Sequence, residues 1–264
     1  MGSTRHVAVG KVVFGSGKLV LLAGPCAIEN EVQFRSCALA VKTAGAHILR
    51  AGFFKLRTNP QSFQGLGSDA FRLAEQVRAE TGLPLVSEVI DPRHVAKMAQ
   101  VTDLFQVGTR NMYNYPLLRE LGLSGKPVLL KRAFAATLDE WLLAAEYIQN
   151  AGNPNVILCE RGIRTFENST RNTLDLNSVA WLKANTDYPV VVDPSHGTGR
   201  AQLVTPMALA ATACGADGLM IEVHTEPAQS LSDGEQALQP AEFSNLTQQL
   251  ACLLVSQERS LWNS

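Results

Sequence analysis

The chain has 264 residues, 46% of them hydrophobic, and its 23 basic and 24 acidic residues leave a formal charge of −1. That is enough chain to bury a large core, and it lies within the size at which an α/β barrel folds as one domain. The near-neutral balance gives no support to a nucleic-acid or anionic-membrane surface, and the longest apolar runs are of strand length, too short for a membrane span.

In chain order, "HVAVGKVVFGSGKLV" (residues 6–20) reads as a two-stranded hairpin over about 6–18, placed to plug the bottom of a barrel. Apolar, β-branched runs follow at 19–24, 47–52, 84–89, 104–109, 127–132, 155–160, 189–193 and 218–222. Nearly continuous apolar runs suit parallel strands buried on both faces. Helical spacing separates them at 30–44, 69–81, 137–151, 171–185 and 203–215, closes the chain at 240–255, and marks shorter helices at 91–100 and 113–123. "TLDEWLLAAEYIQNAGN" is the clearest, with a Thr137 cap, Glu140 three residues on and a stop at Gly152. Eight β/α alternations predict a (β/α)8 TIM barrel over about 19–258, as a single domain spanning 1–264. An open doubly wound sheet is the second reading, but no GxGxxG follows the first strand.

The five cysteines, Cys26, Cys37, Cys159, Cys214 and Cys252, form no CxxC pair and fit a reduced, cytoplasmic protein. The start, "MGSTRHVAVG", lacks the apolar run of a signal peptide, and His6 stands where a myristoylation site wants Ser or Thr.

In such barrels chemistry sits at the C-terminal ends of the strands. Arg50, Lys55, Arg57, Arg110, Lys131 and Arg161 fall there or on the loops that follow, with Glu88 and His224 at further strand ends. "AGFFKLRTNPQSFQG" sets Lys55, Arg57 and Thr58 on one glycine-edged loop, a seat for a phosphate. Each cation alone reads as a solvated end charge. Together, in a nearly neutral protein, they focus a positive field that calls for two anionic substrates, or one with two anionic groups. A second set, Cys26, His196, Glu222 and Asp233, offers a thiolate, an imidazole and two carboxylates, a mixed site for a divalent metal of the Mn, Fe, Co or Zn type. Only barrel closure would bring these four together.

The strings "LLAGPCAIE", "FKLRTNPQSFQG", "QVGTRNMYNYPLLRE", "PVLLKRAFAATLDEWLLAAEYI", "VILCERGIRTFENSTRNTLDL", "VVDPSHGTGR" and "GADGLMIEVHTEPAQSLSDGEQAL" resemble 3-deoxy-D-arabino-heptulosonate 7-phosphate (DAHP) synthase, in its short-chain type Iβ branch. The likeness runs from about residue 13 to 245. It implies a metal-dependent condensation of phosphoenolpyruvate with erythrose 4-phosphate, the entry to the shikimate pathway. It also implies metal ligation by Cys26, His196, Glu222 and Asp233. By the same resemblance Arg110, Lys131 and Arg161 hold the phosphate of phosphoenolpyruvate, Arg50 and Lys55 its carboxylate, and Arg57 and Thr58 the aldose phosphate. Lys55 and His196 are the candidates for proton transfer. A homotetramer or homodimer is expected, without a regulatory domain.

The aldose loop departs from the family pattern K-P-R-[ST], with Leu56 in place of proline. This frees φ and restores an N–H at that position. Retained erythrose 4-phosphate and an altered aldose phosphate or aldehyde are both compatible with it. The octulosonate relatives carry one more residue between the lysine and the arginine, which this chain lacks. A non-catalytic regulatory barrel is the remaining alternative, disfavoured because every candidate ligand position is kept.

Overall fold

Alternating apolar residues at the start of the chain form the hairpin: β1 (Val7–Val9) and β2 (Val12–Phe14) pair antiparallel, with Val7 opposite Phe14. The computed structural model describes residues 4–57 and 59–262. Each of the eight apolar runs that follow is a strand: β3 (Val20–Gly24), β4 (Ile48–Arg50), β5 (Leu85–Glu88), β6 (Leu104–Val107), β7 (Val128–Lys131), β8 (Val156–Glu160), β9 (Val190–Val192) and β10 (Gly218–Glu222). All pair parallel with their neighbours in sequence. Strand β10 returns to β3, from Gly218 opposite Val20 to Glu222 opposite Gly24, and closes the barrel. Closure pairs every barrel strand on both sides, so the barrel itself has no open sheet edge.

Helices surround it: α1 (Glu31–Thr43), α2 (Phe71–Thr81), α3 (Val95–Met98), α4 (Tyr115–Ser124), α5 (Leu138–Asn150), α6 (Leu176–Asn185), α7 (Pro194–Thr198), α8 (Ala201–Ala213) and α9 (Pro240–Val255). Thr137 and Glu140 form the full capping box at the start of α5. Two features differ from the sequence reading. Helix α6 starts at Leu176 rather than 171, because the Asp175 carboxylate caps it by accepting from the Ser178 N–H. The preceding residues are left as loop. Helix α7 was not expected: Asp193 caps its N-terminus, Pro194 fills its first turn, and Gly199 at φ 69° ends it.

Strand alternation divides the core in two. Leu21, Leu49, Leu85, Phe105, Leu130, Leu158 and Leu219 face the helices. Leu22, Ile48, Val86, Leu104, Leu129, Ile157, Val191 and Met220 fill the barrel together with Val7, Val9, Val12 and Phe14 of the hairpin. The hairpin is thus a floor, as the sequence reading placed it. A Cβ on Gly218 would lie 3.1 Å from the Phe14 ring and 2.9 Å from the Val20 carbonyl oxygen, so glycine there admits the plug. The far end of the chain joins the same floor, where Leu19 bridges Leu261 and the Trp262 N–H donates to the Leu19 carbonyl. No helix among the described residues is long and apolar enough to cross a membrane. All five cysteines are free.

Candidate active site

With the hairpin at its floor, the barrel opens at the C-terminal strand ends, and the inward register continues there as polar residues. Leu129 faces the interior, so Lys131 two residues on does too, and Cys159 sets Arg161 in the same way. By the same parity Ile48 leads to Arg50, Val86 to Glu88 and Met220 to Glu222. The intervening Arg132 and Glu160 point behind the barrel, where Arg132 bonds Glu160 at 3.1 Å and Asp175 at 2.9 Å. Gly24 has φ 147°, and a Cβ there would lie 2.3 Å from the Arg50 carbonyl oxygen. Only glycine lets the ends of β3 and β4 converge in this way.

All six sequence-predicted cations, Arg50, Lys55, Arg57, Arg110, Lys131 and Arg161, line one cleft of about 310 Å³ at this mouth. Thr58 lies outside the described residues. Several cations are tethered by acids. Arg50 Nη1 is 3.5 Å from Glu222, Lys55 Nζ is 3.3 Å from Asp233, and Lys131 Nζ is 2.5 Å from Asp193. Arg57 donates to the Ser232 hydroxyl at 2.8 Å. Arg110 and Arg161 have no carboxylate within ion-pair reach among the described residues. Both instead lie over the Phe134 ring, 5.6 and 5.0 Å from its centre, as does Arg164 at 4.4 Å. Burial lowers the Arg161 pKa to about 10, a deficit that a bound anion would relieve.

Beside the cations, Cys26, His196, Glu222 and Asp233 bring one donor atom each within 4.8 Å of the others. Cys26 Sγ is 3.1 Å from Asp233 Oδ2, and His196 Nε2 is 3.7 Å from Glu222 and 4.0 Å from Asp233. The supports around them are specific. Asp193 accepts from the His196 backbone N–H at 2.9 Å and lies 2.8 Å from Nδ1, which places the imidazole proton on Nδ1 and leaves Nε2 facing the cluster. Glu222 accepts from Gln236 Nε2 at 2.6 Å, and its own N–H donates to Ser195 Oγ at 2.9 Å. Arg171 bridges Gln236 at 2.8 Å and Asp233 at 3.2 Å.

Burial lowers the His196 pKa to about 4, against the pull of Asp193, so the ring is neutral at pH 7. Burial and then Glu222 push the Cys26 thiol up to about 12, so a proton stays on sulfur unless a cation replaces it. Burial alone would raise the Asp233 carboxyl, but Lys55, His196 and Arg171 together hold it below the usual carboxylate range. Burial also works against the Lys55 charge, yet Cys26, Asp233 and Glu222 outweigh it and raise its pKa, so it is an ammonium. Glu222 Oε1 is buried without a hydrogen-bond partner among the described residues. A convergent thiol, neutral imidazole and two carboxylates, one with an orphaned buried oxygen, fit a divalent metal.

The chain matches the sequence profile of the DAHP synthetase I family over residues 4–256. It belongs to that family. Phospho-2-dehydro-3-deoxyheptonate aldolase of Thermotoga maritima is 43% identical over 244 residues, covering 92% of this chain and 72% of that protein. A 2-dehydro-3-deoxyphosphooctonate aldolase of Geotalea uraniireducens is 31% identical over 269 residues, covering 94% and 97%. Among solved structures, the Thermotoga maritima DAHP synthase superposes with a TM-score of 0.95 at 41% identity, covering 98% of this chain and 76% of that one. A truncated form of the 3-deoxy-D-arabino-heptulosonate 7-phosphate synthase from the same organism gives 0.92 at 38% identity, covering 98% and 95%. The family resemblance and the barrel with its hairpin, both read from the sequence, are borne out.

Sequence reasoning missed Asp193, Phe134, Arg171 and Gln236. Asp193 stands before a proline at a strand end, an N-cap signature that pointed to a helix as well as to a partner for His196. Arg171 fell in a stretch read as helix. Phe134 and Gln236 carried no signal in the sequence, since their partners come from other strands.

Proposed function

We propose that the protein condenses phosphoenolpyruvate with erythrose 4-phosphate and water to give DAHP and inorganic phosphate. The observation that carries this is the single cleft in which the cations and the four-donor cluster meet, in a chain of the DAHP synthetase I family. Arg110, Lys131 and Arg161 grip the phosphate of phosphoenolpyruvate, and Arg50 and Lys55 its carboxylate. Arg57 and Thr58 seat the aldose phosphate. Hairpin and barrel act as one catalytic unit, cytoplasmic and assembled as a homodimer or homotetramer.

C3 of phosphoenolpyruvate attacks the aldehyde carbon, and the positive charge that develops at C2 is taken up by water. The resulting hemiketal expels phosphate. The cations cancel the repulsion between two polyanions and so fix their approach, which is a large share of the rate enhancement. Lys55 is charged and 3.3 Å from Asp233, so its part is to donate a proton toward the new hydroxyl rather than to act as a base. His196, neutral and oriented by Asp193, presents Nε2 as an acceptor or ligand. A divalent ion of the Mn, Fe, Co or Zn type, held by Cys26, His196, Glu222 and Asp233, would supply Lewis-acid polarisation of the aldehyde oxygen.

The test follows phosphoenolpyruvate loss and phosphate release with manganese, offering erythrose 4-phosphate, then arabinose 5-phosphate. Turnover with erythrose 4-phosphate that a chelator abolishes is the expected result. Preference for another aldose would reassign the acceptor, and chelator-resistant turnover would remove the metal from the reading.

A further inference from the structure

Three of the four donors have plain supports: Asp193 behind His196, Gln236 and Ser195 on Glu222, and the short β3–α1 loop under Cys26. Asp233 differs. It lies outside regular structure, and its φ of 57° is left-handed for a residue other than glycine. Such a backbone persists only where its surroundings over-determine it. The contacts of its side chain with Lys55, Arg171 and Cys26 hold the carboxylate but not the main chain that delivers it.

On the C-terminal side the Gln236 N–H donates to the Asp233 carbonyl at 3.3 Å, and on the N-terminal side the main chain is held by Glu29. Its Oε1 accepts from the Leu231 N–H at 2.9 Å and lies 3.1 Å from Ser230 Oγ, which itself accepts from the Ser232 N–H at 3.3 Å. The other carboxylate oxygen, Oε2, faces His224 Nε2 at 3.7 Å. His224 Nδ1 accepts from the Glu226 N–H at 3.0 Å, so its proton is on Nε2, the atom directed at Glu29. That nitrogen is buried without a hydrogen-bond partner among the described residues, and the two side chains are only 6% and 5% exposed. A buried carboxylate is costly unless its oxygens are engaged. Here both are directed at the segment that ends in Asp233 or at the residue that starts its loop. Glu29 also stands three residues after Cys26 on the same turn, anchored where its N–H donates to Gln33 Oε1 at 3.3 Å. The turn that carries the sulfur donor therefore latches the loop that carries the oxygen donor.

We propose that Glu29, backed by His224, is a positioning residue that sets the spacing of Cys26 and Asp233, and with it the affinity of the site for a divalent metal. This rests on the four-ligand site of the preceding section. The experiment is a double-mutant cycle read by cobalt(II) titration of metal-free protein, following thiolate-to-cobalt absorption. Glu29→Ala should weaken cobalt binding about tenfold or more, as loss of an outer support does. Asp233→Ala should weaken it as well, and adding Glu29→Ala to Asp233→Ala should then cost little more. Glu29→Gln, which keeps a carbonyl oxygen for the Leu231 N–H, should fall between wild type and Glu29→Ala. It carries the cycle where the alanine variant does not fold.

Equal loss from the Glu29 substitution with and without Asp233 would show a role in folding alone and overturn the inference. So would an unchanged affinity in Glu29→Ala. Cobalt affinity unmoved by Asp233→Ala would instead overturn the four-ligand site itself.

Discussion

Lys131 at the end of β7 and Asp193 after β9 meet at 2.5 Å, with both side chains almost fully buried. The same Asp193 oxygen lies 2.8 Å from His196 Nδ1, so one carboxylate ties the cation cleft to the four-donor cluster. Asp193→Asn preserves the shape and removes the charge. We expect metal affinity to drop about 10–100-fold. Breaking the pair should also cost about 3–5 kcal/mol of stability, since Lys131 is left buried without its anion. Cobalt titration and urea denaturation check the two halves separately, and a wild-type cobalt affinity would refute the link.

Phe134 gathers Arg110 and Arg161 without contributing a charge of its own. At about 0.5–1 kcal/mol per cation–π contact, Phe134→Ala should raise KM for phosphoenolpyruvate about 5- to 30-fold. KM for the aldose phosphate should change much less. Arg57→Ala should show the reverse pattern, because Arg57 is held by Ser232 and not by Phe134. Steady-state kinetics with each substrate varied in turn would refute the two-seat arrangement if both variants affected both constants equally.

The floor predicts a stability effect far from the chemistry. Phe14 is fully buried among the inner residues of the barrel, and Phe14→Ala should destabilise by about 3–5 kcal/mol. Denaturant midpoints measure the loss. A cost below about 1 kcal/mol would mean that the hairpin is dispensable to the barrel.

His47 gives the pH dependence. Burial lowers its pKa to about 4, against a backbone hydrogen bond to Trp262, and its Nδ1 accepts from the Leu21 N–H at 2.9 Å. A ring held neutral in the fold binds fewer protons than the unfolded chain between about 4 and 6.5. Its contribution is therefore complete above 6.5 and is lost as pH falls toward about 4. The loss should be about 1–3 kcal/mol. Urea melts of metal-free protein at pH 7 and pH 4.5 should show a smaller drop for His47→Gln than for wild type. Equal drops would remove His47 as the source.

The strands were legible because parallel strands buried on both faces read as unbroken apolar runs, and Val190–Val192 or Val156–Glu160 could hardly be anything else. Helix α7 was legible only through its Asp193–Pro194 start, since five residues are too few to carry a 3.6-residue period. The cations of the site were legible by their strand-end positions. The Glu222–Gln236 and Lys131–Asp193 pairs were not, because each joins residues that only barrel closure makes neighbours. Arg171 was misplaced for a local reason: its loop runs directly into α6 and shares its apolar spacing.

Both ends of the described chain lie at the floor, where Leu19 bridges Leu261 and the hairpin seals the barrel. A partner grafted to either end therefore emerges on the side opposite the mouth and leaves the cleft clear. A linker run along the floor to join the two ends would let the chain be reopened in an exposed loop on that side with its active site kept. In this molecule the order in which the β/α units are strung together is separable from the ring they make.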